Sequence, residues 1–490
     1  MRTSRDERCV LIGTPDSVEL LRRQLDLLPE APTPIGAVLV GDDGPPGHLM
    51  DLGGLGELES VCRAHRPAVA VVSLPGALAG QEREIRAALA RCGVRTRVVP
   101  PLDELLSREP LPIAARRAQT VDLATLVGRR AHPVDRAQLE RLLGGSRVLI
   151  TGAGGSIGSE IARLCASFEP ALLVLADRSE NAVFEIDRTL GGTHRGVPRR
   201  AVLHDVVDRD ATRVLVEQTQ PDLIFHAAAH KHVPLMEDHP SHALTNNFFG
   251  TRSIADAAVS AGVRRFVLIS SDKAVNPTSV MGATKRLAEM YVQGLGRRGG
   301  GATQLSMVRF GNVLGSACSV LPIWESQIAE GGPVTVTDTR MTRYFMTIPE
   351  AAGLVVHAAS LSTPAQAEVF VLDMGEPVSI LELAKRFVRA HGLEPVVGSK
   401  AGAWNQTEIR LTGIRPGEKL HEELAYDVES LRPTAHPGIM ALRDAWAPDE
   451  ATLAAMVEHL DRARREGSSE RVVRAMGRFV PQMGGQRVAA

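Results

Sequence analysis

The sequence predicts an α/β protein built on two doubly wound parallel sheets, a smaller one first and a larger one after it. Three observations predict it. Short apolar runs alternate with amphipathic stretches over the first hundred residues, and the alternation resumes more strongly at Ser146. The apolar runs of the second series are continuous rather than alternating, as in strands buried on both faces.

In the first series CVLIG (9–13), PIGAVLVGDD (34–43), AVAVVSL (68–74) and TRVVP (96–100) read as strands. SVELLRRQLDLL (17–28), with Leu20, Leu21, Leu25 and Leu28 apolar, and EREIRAALARCG (82–93) read as helices. A first domain over 1–101 follows. Residues 102–144 lack the rhythm and hold DLATLVGRR and HPVDRAQLERLL, which read as a helical connector. In the second series SRVLITG, ALLVLAD (171–177), AVLHD (201–205), PDLIFHAAA (221–229), RRFVLIS (264–270) and LSMVRFGNV (305–313) read as strands. GSEIARLCASF (158–168) and GTRSIADAAVSAG (250–262) read as helices between them. This places a second domain over 145–375. The remainder, 376–490, ends in an amphipathic helix, DEATLAAMVEHLDRARREG (449–467), expected to pack terminally.

Composition removes several function classes. The chain has 490 residues and a formal net charge of −1, so no basic footprint points to nucleic acid. No apolar stretch reaches the roughly 18 residues of a membrane span. Residues 1–7 are charged and no apolar h-region of signal-peptide length follows, so no signal peptide is expected. Five widely spaced cysteines without CxxC suit free thiols in a reducing, cytoplasmic compartment. Of 56 Lys plus Arg residues only six are lysine: 231, 273, 285, 385, 400 and 419. That bias makes each lysine worth locating.

SRVLI runs into TGAGGSIGSE and a helix. Gly152, Gly155 and Gly158 fit GxxGxxG, and with Ser156 and Ile157 they form a turn where backbone can approach a pyrophosphate at a helix N-terminus. Asp177 ends the next strand, placed to accept hydrogen bonds from adenosine ribose hydroxyls. The turn is expected to bind a dinucleotide. Asp177 favours NAD, because a 2′-phosphate would meet like charge. Arg178 and Ser179 could grip that phosphate, so NADP stays open. Asp205 ends the third strand, placed to reach adenine, and Val206 follows it at the same site. Ala227, Ala228 and Ala229 end the fourth and would let a dinucleotide lie across the sheet edge. The first domain's equivalent turn, GTPDS, has one glycine. It reads as a non-binding scaffold or oligomerisation domain, with Cys9 in its core. His226, His230 and His232 invite a metal reading, but no nearby Cys or carboxylate completes a tetrahedral set, so no metal is expected.

Strand RRFVLIS leads into Ser271-Asp272-Lys273, and Met281 and Lys285 share a face of the next helix. Here the chain resembles the extended short-chain dehydrogenases that modify nucleotide sugars, with MxxxK where those carry YxxxK. Methionine is neither acid nor base, and Tyr291 lies on another helical face. SSDKAVNPTSVMGATKR, TGAGGSIGSE, HAAAHKHVPLME, NNFFGT, VRFGNVLGS, TRYFMTI and IRPGEKLHEEL together resemble the UDP-N-acetylglucosamine 4,6-dehydratase family of polysaccharide biosynthesis, the CapD-like group. The likeness runs from about Thr120 to the C-terminus, and methionine matches the C5-retaining branch. It implies a Rossmann-type extended short-chain dehydrogenase fold after a smaller Rossmann-like domain. Family members often carry membrane helices before that domain, and this chain starts at the part expected to be soluble. A homo-oligomer is expected.

The resemblance implies a reaction. The sugar C4 hydroxyl is oxidised with NAD, water leaves across C5–C6, and hydride returns to C6. Lys273 is assigned as the C5 base and Asp272 as the proton donor to the leaving hydroxyl, each with a pKa moved toward neutrality. Ser271 would hold O4, Lys285 the nicotinamide ribose, and Met281 an apolar wall. Arg343 and Arg415 are expected on the UDP phosphates, with Lys231, Asn312 and Glu418 also on the substrate and Asn247 bracing a loop; segments 312–345 and 376–490 are the expected substrate-binding regions. The chain departs from the family at GSACSV (315–320), where GSRGSV is expected, so Ala317 and Cys318 bear on substrate preference. The alternatives are a UDP-sugar 4-epimerase, or a non-catalytic module that binds NAD or a nucleotide sugar.

Overall fold

A computed structural model describes residues 8–26, 31–41, 49–74, 79–99, 127–129, 131–298, 303–363, 367–399, 406–426, 430–443 and 446–483. The chain divides into two units, Met1–Thr120 with Gly402–Gln406, and Val121–Ala401 with Thr407–Ala490.

In the first unit β1 (Arg8–Gly13), β2 (Thr33–Leu39), β3 (Asp51–Gly54), β4 (Val69–Ser73) and β5 (Arg95–Val98) form one parallel sheet in the order β3-β2-β1-β4-β5. Side chains alternate across a strand, so β1 feeds two cores. Val10 and Ile12 pack with Leu58 and Val61 of α2 (Leu58–His65) and Ile85 and Leu89 of α3 (Ala79–Arg91). Cys9 and Leu11 pack with Val18 and Leu21 of α1 (Pro15–Asp26). Burial pushes the Cys9 thiol up to about 11, as suits a core residue. Strand β3 was not expected, because DLGG offers no apolar run.

The second unit holds a nine-stranded sheet. Its parallel part is β6 (Arg147–Thr151), β7 (Leu172–Asp177), β8 (Arg199–Leu203), β9 (Leu223–His226), β10 (Arg265–Ile269), β11 (Gln304–Arg309) and β14 (Glu368–Leu372). From β8 the order runs β7, β6, β9, β10, β11, β14. The strand order therefore reverses between β6 and β9, where open α/β sheets form their crevice. α5 (Ser156–Ala166), α6 (Glu180–Thr193) and α10 (Ile348–Leu361) cover one face. α7 (Arg209–Thr219), α8 (Gly250–Ser260) and α9 (Val280–Arg297) cover the other. This is the doubly wound fold that the apolar runs predicted.

Three details differ from the sequence reading. LSMVRFGNV is not one strand. It breaks at Gly311, and β12 (Asn312–Leu314) leaves the main sheet to pair with β13 (Phe345–Thr347). Residues 102–126 and 130 of the expected connector lie outside the described residues. Its later part is no separate connector, because α4 (Arg136–Leu143) buries Leu139, Leu142 and Leu143 in the second unit's core, where each such leucine contributes roughly 2 kcal/mol. The C-terminal region is likewise continuous with that unit. β16 (Ile439–Arg443) pairs antiparallel with β14, and β15 (Ser430–Pro433) pairs with β16. Beyond them α11 (Glu450–Arg465) and α12 (Ser469–Phe479) pack Leu453, Met456, Val472 and Met476 against Met290 and Tyr291 of α9.

Candidate active site

β6 ends in a turn that needs its glycines. Gly152 has φ +71°, and a Cβ there would lie 2.6 Å from the Ala227 carbonyl carbon. A Cβ on Gly158 would lie 2.1 Å from the Gly152 oxygen, so α5 starts hard against the turn. Gly155 caps α5 without a side chain, and no acidic residue sits in the first turn. The α5 N-terminus therefore presents uncapped N–H groups and a positive dipole end. Gly154, which the motif reading passed over, meets Ala182 of α6 at a distance no side chain permits.

Asp177 Oδ2 accepts from the Gly154 N–H (3.0 Å) and Oδ1 from the Ser179 N–H (2.9 Å). Each oxygen keeps a second lone pair for a ligand hydroxyl. Gly152, Gly155, Asp177, Arg178, Asp205, Val206 and Ala227–Ala229 all line one cavity of about 170 Å³. Arg178 donates to Asn246 Oδ1 (3.2 Å) and lies 2.8 Å from His230 Nε2. Ser179 is elsewhere: its Oγ caps α6, accepting from the Ala182 N–H at 3.4 Å.

This cavity shares Gly155, Ala227, Ala229 and His230 with a cleft of about 520 Å³. Ser156, Ile157, Ser271, Lys273, Met281, Lys285 and Asn312 line the cleft, with Leu314, Leu321 and Phe345 as apolar wall. A third cavity, about 180 Å³, continues from Lys231, Lys273 and Asn312 to Arg343, Arg415, Glu418 and Glu422. One trough thus crosses the C-terminal edge of the sheet.

The polar wall is a tight network. Ser271 opens a single 3-10 turn, Asp272–Ala274. Its Oγ donates to Asp272 Oδ1 (2.8 Å) and accepts from the Lys273 N–H (3.2 Å). Lys273 Nζ donates to Asp272 Oδ1 (3.0 Å) and Asn312 Oδ1 (3.2 Å), and lies 3.4 Å from Glu422 Oε1. Asp272 is fully buried behind the wall, and its Oδ2 has no hydrogen-bond partner. Burial pushes its carboxyl above the usual range against the pull of Lys273. Burial favours a neutral Lys273 amine, yet Asp272 and Glu422 outweigh it and hold the pKa above the ordinary value. That corrects the expectation of a lysine moved toward neutrality: two carboxylates face one ammonium. Lys285 behaves as that expectation has it for Lys273. It is buried, its Nζ donates to the Ile269 carbonyl (2.6 Å), and burial lowers it to about 8. Glu289, one turn on, gives it little help. Both Glu289 oxygens are held by Arg309 at 2.8 Å, and the pair is fully buried.

A family model described as "Polysaccharide biosynthesis protein" matches residues 148–444. The chain belongs to this family. EpsC of Bacillus subtilis (strain 168), a probable polysaccharide biosynthesis protein, is 40% identical over 442 residues, 88% of this chain and 71% of EpsC. A UDP-N-acetylglucosamine 4,6-dehydratase (inverting) of Campylobacter jejuni subsp. jejuni serotype O:23/36 (strain 81-176) is 32% identical over 284 residues, 57% of this chain and 78% of that relative. Among solved structures, Pen from Bacillus thuringiensis matches with a TM-score of 0.55 and 31% identity, over 62% of this chain and 90% of Pen. No helix among the described residues is long and apolar enough to cross a membrane.

In this polysaccharide biosynthesis protein several residues expected on the substrate are held by the protein itself. Arg343 donates to the carbonyls of Thr342, Lys419 and Leu420 (2.7–3.1 Å), so most of its guanidinium braces backbone. Arg415 and Glu418 pair with each other (2.6 Å), and Arg415 stays largely exposed at the rim of the third cavity. Lys231 Nζ donates to the Ala317 carbonyl (2.9 Å) and Ser316 Oγ (3.3 Å). The Ala317 N–H in turn donates to Ser156 Oγ (3.1 Å), so the unusual 315–318 loop bridges the glycine turn and lines the cleft. Asn247 braces: its side chain accepts from the His230 N–H (2.8 Å) and donates to the His230 carbonyl and Thr284 Oγ1 (3.0 Å each). His226 sits between Thr151 and Thr251 hydroxyls (2.7 and 2.9 Å), and burial lowers it to about 3, leaving it neutral. The sequence reading missed Glu289–Arg309 and Glu422. The first could have been found from Glu289 lying four residues after Lys285. Glu422 carried no local signal beyond sitting in IRPGEKLHEEL.

Proposed function

We propose that the protein is an NAD-dependent 4,6-dehydratase of a UDP-N-acetylhexosamine, with UDP-N-acetylglucosamine the first substrate to test, forming a UDP-4-keto-6-deoxy sugar. The observation that carries the reading is an uncapped glycine turn and a buried carboxyl–amine pair in one trough. The name of the Campylobacter relative supports the reaction class.

The residues present fit NAD. Gly152 and Gly158 leave space only for backbone, the α5 N-terminus is open to a pyrophosphate, and Asp177 keeps lone pairs for ribose hydroxyls. Bound there, NAD would supply the acceptor for the C4 hydride and its donor at C6.

The chain's own residues handle protons. Ser271 Oγ lines the cleft and would orient O4, and Lys285, half-protonated near pH 8, would receive the O4 proton. Passing one proton from Lys273 Nζ to Asp272 Oδ1 across 3.0 Å makes a neutral amine and a carboxylic acid. The amine takes the C5 proton, made acidic by the C4 ketone. The acid, which lies behind the cleft wall, protonates the C6 hydroxyl through Ser271 Oγ, its hydrogen-bond partner at the cleft, and water leaves. The lysine then returns its proton to C5 from the same side, which gives retention. Over the cycle Lys273 loses one proton and Lys285 gains one, so a proton returns from Lys285 to Lys273 before the next turnover. Met281, buried at the cleft, contributes shape and no proton.

Mass spectrometry after incubation with UDP-N-acetylglucosamine tests the reading: loss of one water supports it. Unchanged mass with inverted C4 would instead mean a 4-epimerase, and no reaction with any UDP-sugar would mean a binding module. Lys273→Ala is expected to slow dehydration by about 10²–10⁴-fold, the usual worth of a general base. Full activity in that variant would remove Lys273 from the chemistry.

A further inference from the structure

Glu422 is a buried carboxylate at the trough with no assigned task. It lies in the segment after Lys419, is 8% exposed, and lines the third cavity. Oε1 is 3.4 Å from Lys273 Nζ and 3.7 Å from Arg343 Nε, while Oε2 is buried without a hydrogen-bond partner. A carboxylate is costly to bury, and it persists where cations hold it. Lys273 and Asp272 face it from the 271–274 turn, Arg343 from segment 342–343, and Lys419 from its own segment. The ammonium of Lys273 therefore sits between two carboxylates that differ in kind. Asp272 belongs to the turn that carries Lys273, and Glu422 reaches it from a separate segment.

We propose that Glu422 is a positioning residue for Lys273: its carboxylate tethers the amine to the trough wall and sets the pH at which that amine gives up its proton. The claim about turnover rests on the dehydratase reading, whereas the claim about Lys273 does not. Burial opposes the charge on Glu422, but Lys273, Arg343 and Lys419 keep it below the usual carboxylate range, so it stays an anion while Asp272 is pushed toward its acid form. Two carboxyls whose environments drive them apart take different roles. Asp272 becomes the group that exchanges a proton, and Glu422 the fixed counter-charge.

The test uses the scarcity of lysine. With six lysines in the chain, ¹³C-lysine labelling of the full-length protein gives few signals, and Lys273 is the one absent from Lys273→Arg. Glu422→Gln removes an anion from beside an ammonium, so the Lys273 titration midpoint should fall by about one pH unit or more. The acidic limb of the kcat/KM profile should fall with it. Glu422→Asp, which keeps the charge, should restore both toward wild type. An unmoved Lys273 midpoint in Glu422→Gln overturns the proposal. So does a rise in KM with an unmoved pH profile, which would make Glu422 a substrate ligand. If the wild type proves inert on every UDP-sugar, the dehydratase reading fails, and the Lys273 titration still decides the role of Glu422.

Discussion

The two units answer the same design with different chemistry, and the first turn after the leading strand shows where they part. In both, backbone closes on backbone at the point where the strand order reverses. A Cβ on Gly13 would meet the Ser73 carbonyl at 2.3 Å, as one on Gly152 would meet Ala227 at 2.6 Å. Beyond that glycine they diverge. In the first unit Thr14 Oγ1 accepts from the Ser17 N–H (3.4 Å), Pro15 opens α1, and Asp16 places an anion in its first turn. That helix end is already capped and neutralised. In the second unit Gly155 caps α5 with no side chain and no acid sits in the first turn. Burial differs in the same direction. Among the described residues of the first unit Ser73 is the one buried polar side chain, whereas the second buries Asp272, Lys285, Glu289, Arg309, Arg343 and Glu422. Topology is shared, and function rides on what the loops leave unsatisfied.

The comparison breaks most sharply at Gly155. Its φ of −73° suits any residue, and a Cβ there meets only the Gly152 oxygen at 3.3 Å. Gly155→Asp would give α5 what α1 has, a side-chain cap and an anion at the dipole's positive end. The melting temperature without cofactor should hold or rise, since aspartate is a preferred cap. NAD affinity, followed by calorimetric titration, should drop by at least about a hundredfold, because like charges at close range cost several kcal/mol. Undiminished NAD binding would show that the turn is as inert as its counterpart in the first unit.

Lys285 sharpens the burial contrast. Its pKa falls from 10.5 to about 8, which amounts to a cost of about 3 kcal/mol when both states are protonated. The folded pKa is depressed, so between about pH 8 and 10.5 the unfolded chain binds more protons and stability rises with pH. Lys285→Met should lack that rise. At pH 7 it should be more stable by about 2 kcal/mol, the relief less about 1 kcal/mol for the hydrogen bond to Ile269. Denaturant midpoints at several pH values check both. A variant less stable than wild type at every pH would mean that the lysine pays its own way in the fold.

What was legible in the sequence was local. Gly152, Gly155 and Gly158 fall within one turn and Asp177 at the next strand end. Asp272 and Lys273 are adjacent, and Lys285 shares a helical face with Met281. Spacing alone brings such groups together. Glu422 meets Lys273 only because a distant segment folds across the trough, and no periodicity reports that. TRYFM places Arg343 near the substrate, but the sequence does not show the three carbonyls that also hold its guanidinium. β12 was read into β11 because an apolar run says nothing of where Gly311 turns the chain into another sheet.

Ser179 offers the smallest and most discriminating effect. Beside Asp177 and Arg178 it looks like part of the ribose site, but its hydroxyl faces the other way along the chain, onto the Ala182 N–H of α6. Ser179→Ala should therefore behave as a lost helix cap, costing about 0.5–1 kcal/mol, toward the low end because the bond is long. The ratio of NAD to NADP affinity should not move. Asp177 and Arg178, which do line the cavity, would then own that choice alone. A changed ratio at constant stability would put the hydroxyl on the ligand and not on the helix.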